Sequence, residues 1–592
     1  PYVVSPAGFV QIAGSNFGSN ARITLALVGA NATVPLAVVT ASSAGTFGPL
    51  GLTIPAITAA GAYSLEALVN GSKVASLPVQ VVLRTPHISA STTTLVANQK
   101  VTVHGTGFAP GEQISLALNG AALQTVPSTV LANSSGAFTA SFVVPQTITN
   151  GANTLTASGV SSRATVTLTL QASLGVASRW YFANGDTTGD HRTVINMLNP
   201  TGSPAHVTMT FLYEAGAPGQ STQVVPAHSV TSVDLALAAG YGRRISTIVE
   251  ADQKISASST ITYGTADTAS TPGASGPSNL WYLAEGYDNL GFSEELVIMN
   301  PSTHVATIDV RFLPFNNRPA QETRFVMQPR ANIRINASQY IPNQSFSVIV
   351  TSDQNVVVER GLRFGAGGRG ADDKIGTNSA SAVWDFAYGD SAPDRQTFFT
   401  ILNPNQASPA AVTATFFDRS GKPVGTKTVV VDALHRGNIK LNDVLANVKV
   451  ATVMTSNVPV VVERPVYQSS PNLRSAPSGG VAFGRNGGGL AFAFPGLSTA
   501  GGDDARLYLF NPGVNTVTVH ATFYTTTGTS ATQDVTLPPN SDIVLSVNSV
   551  PGLSAGPLGA ILRSGNNQAF VAEQTILNPT TQRFSSMEGI AQ

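Results

Sequence analysis

No cysteine occurs in the 592 residues. Disulfides and thiolate metal sites are thereby excluded, and stability has to come from cores and from contacts between subunits. Charge is scarce as well: Asp, Glu, Lys and Arg make up 11%, against the usual ~25%. The net charge is zero, so no general attraction to nucleic acid or anionic lipid is implied. A surface this neutral lacks the repulsion that keeps copies apart. No apolar run reaches the ~18 residues of a membrane span. Hardly any stretch has a helical period, and no P-loop, nucleophile elbow or dinucleotide fingerprint stands where a helix could follow. The chain opens at Pro1 without Met, which reads as a processed, secreted chain with an extracellular, cell-surface location.

What is present is apolar and repetitive. Hydrophobic residues make up 42%, too much for disorder, and the length calls for roughly four to six domains. One frame organises the chain from residue 174 on. Trp180-Tyr-Phe-Ala-Asn-Gly185 leads through a polar acidic loop to Asn199-Pro200. It returns as Trp281, Gly286, Asn300-Pro301 and as Trp384, Gly389, Asn403-Pro404. A degenerate fourth copy reads Ala491, Gly496, Asn511-Pro512. Gly and Asn are 14 residues apart in three copies and 15 in the fourth. Repetition of this kind marks an array of similar modules.

The third copy serves as template for the rest. Trp384–Tyr388, Thr397–Leu402 and Val412–Phe416 read as strands, the second ended by Asn403-Pro404, since proline donates no N–H and forces an extended residue before it. Thr428–Val431, Ile439 with Leu441, Val450–Met454 and Val458–Tyr467 make seven strands, the number of an immunoglobulin-like sandwich. A turn residue tolerant of positive φ recurs at Gly216, Asn317, Gly421 and Gly528. The segments 265–278, 366–379 and 469–489 are rich in Gly, Ser, Ala and Pro and read as linkers joining modules end to end.

Residues 1–172 carry another repeat. Gly14-Ser-Asn-Phe17-Gly18 matches Gly105-Thr-Gly-Phe108-Ala-Pro-Gly111, and Gly45-Thr-Phe47 matches Gly136-Ala-Phe138, each 91 residues later. Alternating runs such as Lys100–His104 and Gln113–Leu118 read as short sandwich strands. The second module has residues 88–94 before its Gly turn, enough for a first strand. The first has only residues 1–10, so its opening strand is expected to be missing, which leaves an open sheet edge. The Gly105–Gly111 turn with Gly136-Ala-Phe138 resembles the immunoglobulin-like, IPT-type domains of bacterial surface and secreted proteins, which implies spacers or binding modules. Leu280-Trp-Tyr-Leu-Ala-Glu-Gly286 with its Asn-Pro strand end is similar to repeats of large bacterial exported proteins. That resemblance implies surface exposure and no particular activity.

The expected fold is therefore all-β, a tandem array of about six immunoglobulin-like β-sandwich domains. Two are shorter (1–84, 85–173) and four longer (174–270, 271–372, 373–478, 479–582), followed by a tail at 583–592. Met587-Glu-Gly589 aligns with Ala284-Glu-Gly286, so the tail reads as the opening strand of a fifth long module whose body is absent. With an unfinished first sandwich and a spare tail, the leading expectation is a surface filament or similar head-to-tail homopolymer built by strand addition. Phe584, Met587 and Ile590 would be the side chains inserted into a neighbouring copy. The alternatives are a monomeric adhesin or carbohydrate-binding stalk that recognises surface glycans or other cells, and a secreted hydrolase.

The chemistry-bearing residues point to no enzyme, no nucleic-acid partner and no catalytic site. The eight histidines neither recur at equivalent positions nor stand at metal-ligand spacing. Glu359-Arg360, Glu463-Arg464 and Glu573-Gln574 are equivalent, with Ser258-Ser259 in the first copy. One Glu per module does not make a glycosidase pair; capping of loop N–H groups or pairing with Arg is expected. Calcium is the one cofactor the acidic loops bring into question, through Asp186, Asp190, Asp288, Glu294, Glu295, Asp390, Asp394, Asp503 and Asp504. Their spacings differ between copies and none is an EF-hand loop. Trp180, Trp281 and Trp384 are expected in cores, with sugar stacking as the alternative.

Overall fold

The computed structural model describes residues 2–591 other than 7, 31, 56–57, 92–93, 96–99, 146–150, 173–176, 215, 265–266, 316–317, 469–472, 474–475 and 529. The turn residue Asn317 lies outside the described residues. Two compact units are present, one drawn from residues 1–172 and one built on Ser173–Gln592. Both consist almost entirely of mostly antiparallel strands packed as sandwiches. The chain is a tandem array of immunoglobulin-like modules, as the alternation and turn spacing lead one to expect.

In the first unit the Gly turns hold aromatic plugs. Phe17 packs on Phe47 with ring centroids 5.4 Å apart, and Phe108 on Phe138 at 5.5 Å. A Cβ on Gly45 or Gly136 would lie 2.1 or 2.2 Å from the carbonyl oxygen of Phe17 or Phe108, and both glycines have positive φ. The two sandwiches differ at one edge. His87–Ala90 pairs with Lys100–Thr106, whereas the corresponding Phe9–Gly14 pairs, among the described residues, with Phe47–Thr53 alone. Val101 and Val103 are accordingly sealed, and Val10 and Ile12 only half-buried.

The second unit holds the four longer modules. The first three are each dominated by one long strand: Ile245–Tyr263, Gln344–Phe364 and Lys449–Gln468. In the first module its early part pairs with Ala205–Tyr213 in one sheet and its later part with His191–Asn199 in the other. The separate strands expected at 450–454 and 458–467 are thus one strand of 20 residues. The tryptophan indole pins the crossing point. Nε1 of Trp180, Trp281 and Trp384 donates to the carbonyls of Ile255, Val356 and Val460 at 2.9, 2.8 and 2.9 Å. All three rings are core, as expected.

The fourth copy clarifies the frame. Gly484 packs against Trp384 and Phe386, and Gly589 packs against Phe492 and Phe494 in the same way. Phe492, not Ala491, therefore occupies the tryptophan place, and Leu497 rather than Gly496 follows in the glycine place. Leu497 precedes Asn511 by the same 14 residues as in the other copies. The ring of Phe492 has no N–H to donate, and here the long strand is split into Pro557–Ser564 and Val571–Asn578.

The supposed linkers contain strands. Thr268–Pro272, Gly370–Ile375 and Ser478–Phe483 pair with the long strand of their own module and close it. The fourth closing strand is Arg583–Glu588, paired with Val571–Asn578. These four strands pack on one another in a cycle, first on second, second on third, third on fourth and fourth on first. The four modules are therefore a closed ring around a shared axis, not an end-to-end row. Small residues make the closeness possible: a Cβ on Gly480 would lie 2.7 Å from the backbone nitrogen of Ser586. Glycine within a strand marks such close backbone approach.

The tail expected to serve a neighbouring copy is part of this ring. Phe584, Met587 and Ile590 are 3%, 0% and 7% exposed within their own chain. Ile590–Ala591 adds to Ala491–Ser498. The reading of 583–592 as a fifth module's opening strand is corrected accordingly. Gly589 stands where Gly273, Gly376 and Gly484 stand, at the end of a module.

The Asn-Pro asparagines do more than end a strand. Asn199, Asn300, Asn403 and Asn511 are fully buried. The Nδ2 of Asn403 donates to the carbonyls of Ser408, Val431 and Asp432, while its Oδ1 accepts from the N–H of Asn405. The equivalent bonds recur at Asn199 and Asn511. One side chain thus ties two turns together, which explains its place in every copy.

Candidate functional site

The charged chemistry of the second unit is concentrated where the modules meet. Glu359 Oε2 of the second module accepts the N–H groups of Ala183 and Asn184 in the first, at 2.7 and 2.9 Å. Glu463 Oε1 of the third accepts those of Ala284 and Glu285 in the second, at 2.7 and 3.2 Å. Glu573 Oε1 of the fourth accepts that of Ala387 in the third at 2.7 Å. Each module thus clasps the Ala-x-Gly loop of the one before it. The sequence points to such capping; the structure shows that it works across the junction.

The other carboxylate oxygen meets an arginine of the preceding module. Arg360 reaches Glu463 Oε2 at 2.8 Å, and Arg464 reaches Glu573 Oε2 at 2.8 Å. All four side chains are sealed from solvent. A buried pair of this kind adds little over a well-packed apolar pair, but losing one partner is expensive. The guanidinium groups have further acceptors: Arg360 donates to the Glu285 carbonyl and Asp372, and Arg464 to the Tyr388 carbonyl and Ser586 Oγ. Arg436 also reaches back, to the carbonyls of Gly286 and Phe346 and to Glu285 Oε2 at 2.7 Å.

Glu359 has no such arginine, because the first module carries Ser259 at that place. Its neighbour instead is Asp373, whose Oδ1 accepts Asn184 Nδ2 at 2.7 Å. Burial pushes the pKa of both acids up; the charge of Glu359 and its hydrogen bond raise Asp373 further, whereas the same hydrogen bond lowers Glu359. Both acids belong to the second module, and both meet the Ala183–Asn184 backbone and side chain of the first across the junction. At the fourth junction the ion pair is lost altogether: Ser258 and Gln574 occupy the Glu and Arg places. Gly496 packs there against Ser258 and Asn196, and Ala493, Ile561 and Ile590 join the first module's core.

On the axis stands Asp267. Its Oδ1 accepts the N–H of Phe584 at 2.8 Å, and its Oδ2 those of Gly479 and Ala371 at 3.0 and 3.3 Å. The N–H of Thr268 also bonds to it. One carboxylate therefore collects a donor from all four closing strands. Burial drives its pKa well above the carboxylate range, while the four N–H groups favour the charged form. Lys374, also on the axis, donates to the Ser270 and Ser586 carbonyls and pairs with Glu588 at 3.4 Å. Asp267 and Lys374 were not singled out by sequence reading, because both belong to segments whose small-residue composition reads as linker.

Glu294 is a separate case. The first and third modules place Thr193 and Thr397 here, whose hydroxyls bond the backbone of Asp186 and Asp390. Glu294 is sealed, with neither oxygen hydrogen-bonded among the described residues. Burial raises its pKa to about 8, with Arg360 and Arg436 opposing and Glu285 and Glu463 adding to the rise. The folded state therefore holds a proton that the unfolded chain releases near pH 4.5. Stability is full below that pH and is lost as pH climbs toward 8, on the order of 4–5 kcal/mol over the whole window. Glu294→Gln, which keeps the neutral shape, should flatten this decline in melts recorded from pH 4 to pH 9.

The acidic loops do not converge. Asp186 binds Thr188 and His191, Asp390 the Ala392 N–H, Asp503 Ser498 and Asn578, and Asp504 Arg506. Among the described residues no three His, Asp or Glu side chains are placed to hold a metal ion. No described helix is long and apolar enough to cross a membrane.

Residues 84–172 match the macroglobulin-like domain model. No curated protein matches the chain. Among solved structures, a tandem from titin is similar at 11% identity over 45% of this chain and 93% of its own, with a TM-score of 0.17. A tetra-tandem repeat from the extending region of a large adhesion protein is similar at 14% identity over 63% and 97%, TM-score 0.14. A Yersinia pseudotuberculosis adhesin is similar at 14% identity over 30% and 58%, TM-score 0.14.

Proposed function

We propose that this chain is a non-catalytic structural protein of the cell exterior, a subunit that associates with copies of itself into a surface filament or comparable homopolymer. The observation that carries the reading is the use made of the acids and arginines. Those placed to do chemistry are sealed at module junctions and engaged in holding the ring together. Catalytic groups need a cleft and a substrate path; Glu359, Glu463, Glu573, Arg360 and Arg464 have none. The outer surface is left neutral and permissive of association. Assembly through the tail is set aside, because Phe584 and Met587 would first have to leave their own core. Contacts between copies then fall to exposed sheet edges. Electron micrographs of the purified chain test this: ordered polymers support it, and single particles at every concentration refute it.

A second reading, an adhesin that binds glycans, is favoured by one feature. Leu237 and Tyr241 are 76% and 73% exposed, four residues apart beside Arg243 and Arg244. An exposed tyrosine offers a face for sugar stacking. On this reading a glycan array retains the protein, and Tyr241→Ala loses that retention without a change in melting temperature.

A further inference from the structure

Every longer module ends one of its sheets in an outer edge strand: Gly219–Val225, Gln321–Met327, Pro423–Val431 and Ser530–Leu537. Among the described residues each pairs with a single neighbour. An edge strand presents a row of unpaired N–H and C=O groups, and proteins guard such rows with charge or proline. Three of the four are guarded. The second carries Glu322 and Arg324, paired with Arg311 and Asp309 at 2.8 and 2.6 Å. The third begins with Pro423 and carries Lys427. The fourth carries Asp534, paired with His520 at 2.7 Å.

The first, Gly-Gln-Ser-Thr-Gln-Val-Val, has no charge and no proline. Its outward face is Gln220, Thr222 and Val224, the last 52% exposed. Thr222 pairs with Thr208, at the register place where Arg324 faces Asp309 and Asp534 faces His520. The third module also has a threonine pair at this place, Thr413 with Thr428, but its edge carries Pro423 and Lys427; of the four edges the first alone has neither charge nor proline.

We propose that Gly219–Val225 is a homotypic pairing edge, taking the same strand of a second copy antiparallel to itself so that one sheet runs through two chains. The partner is argued from the strand itself. A short strand of uncharged polar residues and valine is self-complementary, its main-chain groups match those of its copy, and no like charges meet across the pair. Gln, Ser and Thr side chains can bond across such a junction. A contact of seven residues is small beside the ~1,000 Å² of a stable interface. It is weak between free molecules and effective once copies are held side by side, where local concentration is high. Being isologous, it joins copies in pairs, so a filament needs one further contact.

The inference rests on the self-association reading above, and the test separates the two. Sedimentation and amide hydrogen exchange are followed as the full chain is concentrated, with wild type beside Thr222→Arg. That substitution copies what the second module already carries, so the fold should be kept, and an unchanged melt verifies it. The expected result is concentration-dependent dimers, protection confined to the amides of 219–225, and loss of both in Thr222→Arg. If the wild type associates but Thr222→Arg associates equally, or protection lies elsewhere, the edge is the wrong one and self-association stands. If the wild type remains monomeric throughout, both fall.

Discussion

Deleting residues 583–592 is expected to collapse the fourth module and open the ring, not to release a folded monomer. The deletion removes a whole strand from one sheet and a bridge from the other. Phe584 and Met587 leave their cores empty; removals of this size cost about 3–5 and 2–5 kcal/mol singly. Two buried cations and the half-buried Arg485 lose partners at the same time. Arg464 loses Ser586, Lys374 loses Glu588 and the Ser586 carbonyl, and Arg485 loses the Gly589 carbonyl. Together these are of the same size as the 5–15 kcal/mol that holds most domains. The truncated chain should show an early, non-cooperative melt, dye binding and rapid proteolysis within residues 491–582. A synthetic peptide of residues 583–592, added in trans, should restore the melt. Met587→Ala is the milder form, lowering stability by roughly 2–5 kcal/mol with the ring intact. A truncated protein that melts like wild type would refute the assignment.

Asp267→Ala should be the most damaging single substitution on the axis. It leaves N–H groups from all four closing strands without their acceptor, in a place water does not reach. Each unsatisfied donor costs about 1–3 kcal/mol, so the loss should reach roughly 4 kcal/mol or more even without full additivity. Asp267→Asn should recover only part, since its amide turns donors toward donors. Ala substitution at Asp309 or Asp418, exposed carboxylates of the same unit, serves as the control and should change stability by under about 1 kcal/mol. Chemical denaturation read separately at the Trp180 and Trp384 regions would show whether modules on opposite sides of the ring lose stability together. They should, because one carboxylate serves all four.

The repeat frame was legible because its signals are local. Tryptophan at a strand start, Asn-Pro at a strand end and the hairpin glycines Gly216, Gly421 and Gly528, all at positive φ, act within a few residues of themselves. The capping by Glu359, Glu463 and Glu573 was legible for a similar reason: a glutamate that recurs after a Val-rich run has a structural task. What stayed hidden were the closing strands. Thr268–Pro272, Gly370–Ile375 and Ser478–Phe483 have the small-residue composition of linkers because backbones crowd the axis, and nothing in a linear reading separates those two causes. The degenerate copy was misaligned by one residue for a related reason: only packing against Gly589 reveals Phe492 as the stand-in for tryptophan.

The sequence by itself determined that this is an all-β chain of repeated sandwiches, without disulfides and with little charge. Period-two alternation, turn chemistry and composition act through neighbours a few positions apart, and they suffice for that. Only the tertiary structure decided that four modules close on one another, that the last strand belongs to its own ring, and that a single aspartate joins all four. Those facts depend on groups hundreds of residues apart meeting at one axis, where steric fit and the satisfaction of buried N–H groups choose the partner.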